Sequence, residues 1–97
     1  MKKKIFNLNE LVEKIKFLKR KKKKISLCHG VYDLLHPGHI HHFSEAKKNS
    51  NILIVSITSD QFVNKGPGKP FFDQKLRMSS IAALESVDFV VLSTEKS

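Results

Sequence analysis

The sequence predicts an α/β fold with a Rossmann-like parallel sheet, built in the order strand, helix, strand, helix, strand. Three short apolar runs, separated by segments with helical patterning, carry this prediction: 25–28, 52–57 and 89–92. The middle run is apolar at nearly every position, which is typical of a parallel strand covered on both faces. Right-handed crossovers would bring the carboxyl ends of all three strands to one edge, where such sheets bind ligands.

The first 24 residues are expected to form a basic segment around an amphipathic helix at about residues 8–22. Asn7 or Asn9 can cap its start. The helix ends in a series of consecutive cations, which suits the negative end of its dipole. Its apolar residues recur at helical spacing, at Leu8, Leu11, Val12, Ile15 and Leu18. We therefore divide the chain into this helical segment, 1–24, and a domain that spans 25–97.

Charge is distributed unevenly along the chain. The first 24 residues hold eleven of the 18 lysines and arginines and two of the nine acidic residues, whereas residues 25–97 are balanced. The whole net charge of +9 therefore lies in the N-terminal segment. A nucleic-acid-binding domain more often spreads a basic face through its fold. We expect the lysine-rich run to be a solvated helix end, with nucleic acid, an anionic membrane or an acidic partner as alternatives.

Cysteine content and hydropathy bear on the compartment. Cys28 is the only cysteine, which excludes an internal disulfide and fits a reducing cytoplasm. No apolar run approaches the ~20 residues of a membrane span. No apolar core of a signal peptide follows the basic N-terminal residues. We expect a cytoplasmic protein with no membrane partner.

Helix and turn signals separate the strands. Pro37 suits the first turn of a helix that runs to about residue 49. A short helical turn is expected after the second strand, and glycines and prolines then predict a loop at 65–70. Asp73 can cap a third helix over about 74–86. The inward-facing side chains of that helix are expected to be Leu76, Met78, Ile81 and Leu84.

Two histidines, His36 and His39, bracket the start of the second helix. Being three residues apart, they can point to the same side, with the free N–H groups and the positive end of the helix dipole between them. These groups together favour an anion, most naturally a phosphate. His41 and His42 extend the cluster, but no second ligand pair follows at a zinc-finger-like spacing, so no metal ligand set is expected.

The run GVYDLLHPGH at residues 30–39 resembles the G-x-[FY]-D-L-L-H-x-G-H signature of the cytidylyltransferase-like nucleotidyltransferases. The later segments look most like the nucleotidyltransferase domain of ADP-heptose synthase and its relatives. Those segments are 59–60, 64–70, 74–77 and 83–88. The likeness covers about residues 24–92.

The resemblance implies a reaction in which a phosphorylated sugar or alcohol attacks the α-phosphorus of ATP or CTP, and pyrophosphate leaves. It implies that His36 and His39 hydrogen-bond the triphosphate oxygens and that Lys65 is a further catalytic cation. Mg²⁺ is implied as the companion of the triphosphate, with few protein ligands. Nucleotide binding would fall to the remaining motif positions, namely Gly30, Val31, Tyr32, Asp33, Gly38, Lys69 and Arg77.

Three functions stay open at this point. The resemblance favours an adenylyltransferase for a sugar 1-phosphate in the assembly of a surface polysaccharide, and a glycerol-phosphate-type cytidylyltransferase is the alternative enzyme. A basic nucleic-acid-binding module is the non-enzymatic alternative. The family's domain normally continues with two more strands, so the sequence is expected to be truncated after the third strand. A homodimer, or fusion to a sugar-kinase-like domain, is the expected assembly.

Overall fold

A computed structural model describes residues 3–63 and 70–94 of the chain. Three parallel strands alternate with helices, which confirms the predicted fold class and the order of its elements. The helices are α1 (Leu8–Arg20), α2 (Pro37–Lys48) and α3 (Gln74–Ala82), with a single 3₁₀ turn at Asp60–Phe62. The strands are β1 (Ile25–Gly30), β2 (Ile52–Thr58) and β3 (Phe89–Ser93).

The sheet has the order β1-β2-β3, with β2 in the centre. Cys28 of β1 lies beside Val55 of β2, which lies beside Val90 of β3. The central strand is buried on both faces, as its uninterrupted apolar run predicts. Because all strands run in the same direction, the loops that follow them emerge at one edge, which we call the carboxyl edge. The opposite edge is the amino edge.

Each face of the sheet carries its own apolar cluster. Phe43 of α2 and Ile81 of α3 are fully buried against one face, where they meet alternate residues of β2. Leu11 of α1 covers the other face and packs on Ile54 and Val91. The helices therefore fix the direction of the strands and, with it, the position of the carboxyl edge. None of the helices within the described ranges is long and apolar enough to cross a membrane.

The residues before α1 extend the sheet, a feature that the sequence patterns do not predict. Ile5 forms a parallel bridge with Val90. The N–H of Phe6 donates to the carbonyl of Val90 (3.0 Å), and the N–H of Val90 donates to the carbonyl of Lys4 (2.9 Å). The N-terminal segment thus pairs with the third strand, while the proposed domain boundary after residue 24 stays a prediction.

The third helix differs from its prediction in length and in orientation. It ends at Ala82 instead of about residue 86, and turns complete the connection to β3. Leu76, predicted to face inward, is 55% exposed, whereas Arg77 is 1% exposed. The prediction for Leu76 is wrong because four hydrogen bonds hold Arg77 inside the fold, and these bonds decide which side of the helix faces the sheet.

A carboxylate and a lysine hold the amino edge together. Asp88 accepts hydrogen bonds from the N–H of Leu53 (2.8 Å) and from Nζ of Lys47 (2.7 Å). Asn51 caps the entry to β1, since its side-chain oxygen accepts from the N–H of Lys24 (2.8 Å). These contacts join the starts of β1 and β2 to the connection that precedes β3.

Candidate functional site

The segments that follow β1 and β2 meet at the carboxyl edge, together with the residues that enter α3. The carbonyls of Val31 and Thr58 both accept from Nη1 of Arg77, at 2.9 and 2.7 Å. The end of β3 joins them, since the N–H of Ser59 donates to the carbonyl of Ser93 (3.0 Å). The order of the strands therefore brings three distant parts of the sequence to one place.

The two motif histidines cap α2 and orient each other. Nδ1 of His36 accepts from the N–H of Gly38 (2.8 Å), and Nδ1 of His39 accepts from the N–H of His36 (3.2 Å). A neutral imidazole whose Nδ1 accepts carries its proton on Nε2. Both rings therefore present an Nε2–H donor at the positive end of the helix, with ring centroids 5.9 Å apart.

The first N–H groups of α2 are occupied, contrary to the expectation that they are free to receive an anion. The N–H of Gly38 donates to the ring of His36, and the N–H of His39 donates to the carbonyl of His36 (2.8 Å). The difference arises because the side chain at the N-cap satisfies donors that a helix otherwise leaves open. In this arrangement, the imidazole Nε2 groups and the helix dipole are what the turn offers to an anion.

The cap of α2 requires a glycine at residue 38, and the predicted role of Gly38 in nucleotide binding stays a prediction. A Cβ at this position would lie 2.9 Å from Nδ1 of His36 and 3.2 Å from its Cε1. The ring of His36 therefore folds over the helix start only because residue 38 has no side chain.

Tyr32 forms the wall between β1 and α2. Its ring lies so close to Gly30 that a Cβ there would come within 2.8 Å of Cζ. The ring makes edge contacts with His39 and Phe43, with centroid distances of 5.5 and 5.2 Å. Its backbone lies in the left-handed region, with φ of 52°, a strain that concentrates at functional turns. Burial raises the pKa of the Tyr32 hydroxyl to about 12, so this wall stays uncharged.

Asp33 ties the motif turn to the residues that lead into α3. Its carboxylate accepts from the N–H of Phe71 (2.7 Å) and from the N–H of Phe72 (2.9 Å). These contacts join residues that are 38 and 39 positions apart in the sequence. Asp33 therefore positions a segment from the far side of the site, and its predicted role in nucleotide binding stays a prediction.

Arg77 is buried, and its hydrogen bonds hold the loops of the carboxyl edge together. Besides the two strand-end carbonyls, its Nε donates to the carbonyl of Phe72 (3.0 Å), and Nη2 pairs with Asp60 (2.6 Å). Gln74 adds a further link, since its side-chain oxygen accepts from the N–H of Asp60 (3.0 Å). The guanidinium therefore holds the loops in place, and its predicted contact with the nucleotide stays a prediction.

An open cavity of about 460 Å³ lies against this turn. Its walls include five of the predicted positions, which are Gly30, Val31, Tyr32, Asp33 and His39, and it also reaches His29 and Phe71. Sequence reasoning assigned no role to His29, whose ring contacts the hydroxyls of Ser56 (3.0 Å) and Thr58 (3.5 Å). The signal that could have found it is its place at the end of a strand, one residue before the motif.

Ser59 also lies at this edge and was singled out only as part of the family resemblance. Its hydroxyl is buried without a hydrogen-bond partner among residues 3–63 and 70–94. Buried polar groups are nearly always paired, so the unpartnered hydroxyl of Ser59 is an exception at this edge of the sheet.

Lys65 and Lys69 lie outside the described residues, so their predicted roles stay predictions. Cys28 is a free, buried thiol in the core, and burial raises its pKa, which keeps it a poor nucleophile. Within the described ranges, no three His, Cys, Asp or Glu side chains converge in a way that could hold a metal ion.

Several curated proteins similar to this chain carry the same name. The chain is 38% identical over 93 residues to the bifunctional protein HldE of Actinobacillus succinogenes, a match that covers 94% of this chain and 20% of the relative. It is 42% identical over 86 residues to the HldE of Methylococcus capsulatus, covering 87% of this chain and 18% of the relative. The chain therefore spans about a fifth of the length of these relatives.

A solved structure shares the fold. The crystal structure of the lipopolysaccharide core biosynthesis protein from Thermoplasma volcanium matches with a TM-score of 0.68 and 33% sequence identity. The match covers 74% of this chain and 59% of that protein. A model of the cytidylyltransferase-like family matches residues 27–96. These residues include the whole motif turn, all of β2 and β3, and β1 except for its first two residues. Because this match spans well over half of the chain and confirms the resemblance of the motif, the chain belongs to the cytidylyltransferase-like family of nucleotidyltransferases.

Proposed function

We propose that this chain transfers AMP or CMP from ATP or CTP to a phosphorylated sugar or polyol, with release of pyrophosphate. The observation that carries the proposal is the pair of imidazoles at the start of α2, each with Nδ1 engaged and Nε2 available as a donor. Two such donors at a helix N-terminus suit the oxygens of a polyphosphate.

Catalysis of this transfer needs alignment and charge stabilisation more than covalent chemistry. The acceptor phosphate attacks the α-phosphorus, and negative charge builds on the transferring group and on the departing pyrophosphate. The Nε2–H groups of His36 and His39 would stabilise that charge, and they are held in place before the substrate arrives. Lys65 would add a cation from the loop after β2.

Ring packing and hydrogen bonds around the two histidines give the site its shape. Tyr32 supports His39 through an edge contact, and Gly38 lets the ring of His36 close over the helix. Asp33 and Arg77 hold the surrounding loops together. The backbone of residues 30–32 would face the nucleotide, with Lys69 as a second cation near the phosphates.

Magnesium would reach this site with the triphosphate. The described carboxylates nearest the motif turn are already engaged, since Asp33 accepts from two N–H groups and Asp60 pairs with Arg77. The ion would therefore be coordinated mainly by phosphate oxygens and water, as Mg²⁺ commonly is. When bound, it would neutralise charge on the leaving pyrophosphate.

We favour ATP and a sugar 1-phosphate as the substrates. The support is the name HldE, which several curated relatives carry, and the name of the structural neighbour, which is a lipopolysaccharide core biosynthesis protein. A glycerol-phosphate-type cytidylyltransferase is the alternative. We also propose that the reaction takes place in the cytoplasm, where the one free thiol stays reduced. Because the relatives are named bifunctional, we propose that a sugar-kinase-like domain accompanies this one, in the same chain or in another.

The test is pyrophosphate release by the full chain, with ATP and CTP each offered against a panel of sugar 1-phosphates and polyol phosphates. The proposal expects release with one nucleotide and a narrow set of acceptors. Release with CTP and glycerol phosphate alone would select the alternative enzyme. Absence of release with every pair, both from this chain alone and after addition of a sugar-kinase-like partner domain, would overturn the proposal.

A further inference from the structure

Six consecutive cations, residues 19–24, form a surface that we call the basic turn. They are the last two residues of α1 and the four that connect it to β1. All six are exposed. Within residues 3–63 and 70–94, none of the six is in an ion pair, whereas Lys3, Lys16, Lys47 and Lys48 each have an acidic partner. The charge of the basic turn is therefore available to a partner outside the chain.

The backbone conformation at the centre of the basic turn favours glycine, although Lys22 stands there. The N–H of Lys23 donates to the carbonyl of Leu18 (3.0 Å), and the N–H of Lys22 donates to the carbonyl of Lys19 (2.9 Å). This pattern ends a helix with one residue in the left-handed region, a place that glycine usually takes. Here Lys22 takes it, with φ of 59°. The chain thus keeps a positive charge where an uncharged residue would relieve strain.

The basic turn belongs to the amino edge of the sheet. The carbonyl of Lys24 accepts from the N–H groups of Asn51 (2.9 Å) and Ile52 (3.1 Å), which fixes it at the start of β2. The motif histidines follow β1, beyond its opposite end. The two surfaces are therefore separated by the length of the strands, and the basic turn is not part of the nucleotide site.

We propose that the basic turn docks the protein on an anionic lipid bilayer. Six clustered cations fall within the range of four to eight or so that binds acidic phospholipids. Residues 25–97 are balanced in charge, so the basic surface does not continue across the fold as a track for a nucleic-acid backbone. Phe17 is 49% exposed, with Nζ of Lys21 5.7 Å from its ring centroid, and such a side chain can enter the headgroup region.

Docking by the amino edge has a consequence for the other edge. With the basic turn against the bilayer, the carboxyl edge and its cavity face the water. Nucleotide and phosphorylated acceptor are both water-soluble, so this orientation leaves their path open. The proposal is independent of the transferase activity, because it rests on no residue of that site.

The first experiment is co-sedimentation of the full chain with vesicles of phosphatidylglycerol and with vesicles of phosphatidylcholine. Binding is expected to phosphatidylglycerol alone and should weaken as salt is added. His39→Ala, which alters the transferase site, should bind these vesicles as the unmodified chain does. Equal binding to both lipids, or no binding to phosphatidylglycerol at low salt, would overturn the proposal.

The second experiment separates charge from fold. Lys22→Gly should raise the midpoint of thermal unfolding and lower the partition coefficient for phosphatidylglycerol vesicles about fivefold, since each cation near such a surface is worth ~1 kcal/mol. Lys75→Gln removes the same charge from α3 at the carboxyl edge and should leave partitioning nearly unchanged. Equal losses in the two variants would mean that net charge, and not this surface, is responsible.

A nucleic-acid partner is the outcome that would replace the bilayer. A double-stranded RNA of mixed sequence is offered to the chain at the same salt and the same total phosphate as the vesicles. Tighter binding to the RNA, lost in Lys22→Gly and kept in Lys75→Gln, would assign the basic turn to nucleic acid and overturn the lipid proposal. Weaker binding to the RNA than to the vesicles supports it.

Discussion

The two edges of the sheet hold their cations in opposite ways. At the carboxyl edge, Arg77 is 1% exposed, and its guanidinium donates to three carbonyls and one carboxylate. At the amino edge, the six cations of the basic turn are exposed and have no ion-pair partner among the described residues. A count of charges treats them alike, but a buried and fully bonded cation fixes structure, whereas an exposed and unpaired one can bind.

The first prediction compares one hydrogen-bonded cation from each edge. Arg77→Met should lower the free energy of unfolding by about 3–5 kcal/mol, because it leaves three carbonyls inside the fold without their donor, whereas Asp60 is partly exposed and can be hydrated. Lys47→Met should cost no more than ~1 kcal/mol, since its pair with Asp88 is partly exposed and Asp88 keeps the N–H of Leu53. Urea denaturation of both variants measures the difference. Similar losses would break the contrast between the edges.

The second prediction concerns the imidazoles of the carboxyl edge. His39→Ala should lower the turnover number for pyrophosphate release ~10²–10³-fold, the usual cost of removing one donor to a charged transition state. His41→Ala is the matched control, since it removes the same ring from an exposed position on the same helix. Circular dichroism should show both variants folded. Equal turnover in the two variants would place the active site elsewhere.

Gly38 tests whether the cap of α2 matters to catalysis separately from stability. In Gly38→Ala, the new methyl group would push the ring of His36 out of its place and should lower turnover about tenfold, or ~1.4 kcal/mol. Loss of the cap costs ~1 kcal/mol of stability, but alanine in a helix regains a similar amount. The unfolding midpoint should therefore change little while the rate falls. A variant that loses both equally would show that Gly38 only supports the fold.

Most of the architecture could be predicted from the sequence because it depends on local patterns. The apolar runs and the spacing of prolines, glycines and caps indicated the order of the elements, and the motif placed His36 and His39 at the start of a helix. Contacts between distant residues were not predictable in this way. In α3, apolar periodicity predicts that Leu76 faces inward, but the residue that is buried there is Arg77.

The long-range hydrogen bonds of Asp33 and the pairing of residues 4–6 could not be predicted for the same reason. Asp33 bonds N–H groups 38 and 39 positions away, and no pattern around it signals that partner. The segment 4–6 is too short for a period and pairs as a strand only because β3 lies beside it. Local propensity cannot identify residues whose structure is supplied by another element.

A prediction at Lys22 tests the amino edge, where an exposed cation takes a strained backbone conformation. Lys22→Gly should raise the free energy of unfolding by about 0.5–1 kcal/mol, because glycine adopts the left-handed conformation without steric cost. Lys23→Gly is the control and should be neutral or destabilising, since residue 23 does not have a positive φ. Thermal unfolding of the two variants is the measurement. Stabilisation by both would point to relief of charge repulsion instead of backbone strain.

The last expected effect is confined to alkaline pH and comes from the titration of Tyr32. Its pKa is about 12 in the folded protein, above the ordinary value of 10, because burial disfavours the phenolate. The unfolded chain therefore loses this proton first, and stability should fall as the pH rises from 10 towards 12. Tyr32→Phe should reduce that slope, as measured by urea denaturation at a series of alkaline pH values. An unchanged slope would mean that the lysines alone cause it.

The pairing of residues 4–6 with β3 joins the beginning of the described chain to its end. Lys4 and Phe6 bond the backbone of Val90, and Nζ of Lys4 also donates to the carbonyl of Leu84 (3.0 Å). During synthesis, residues 4–6 must therefore wait until Val90 has left the ribosome before they find their partners. Such distant contacts slow folding and make it cooperative. Amide protons at Phe6 and Val90 should consequently exchange with solvent together, as one unit of the fold.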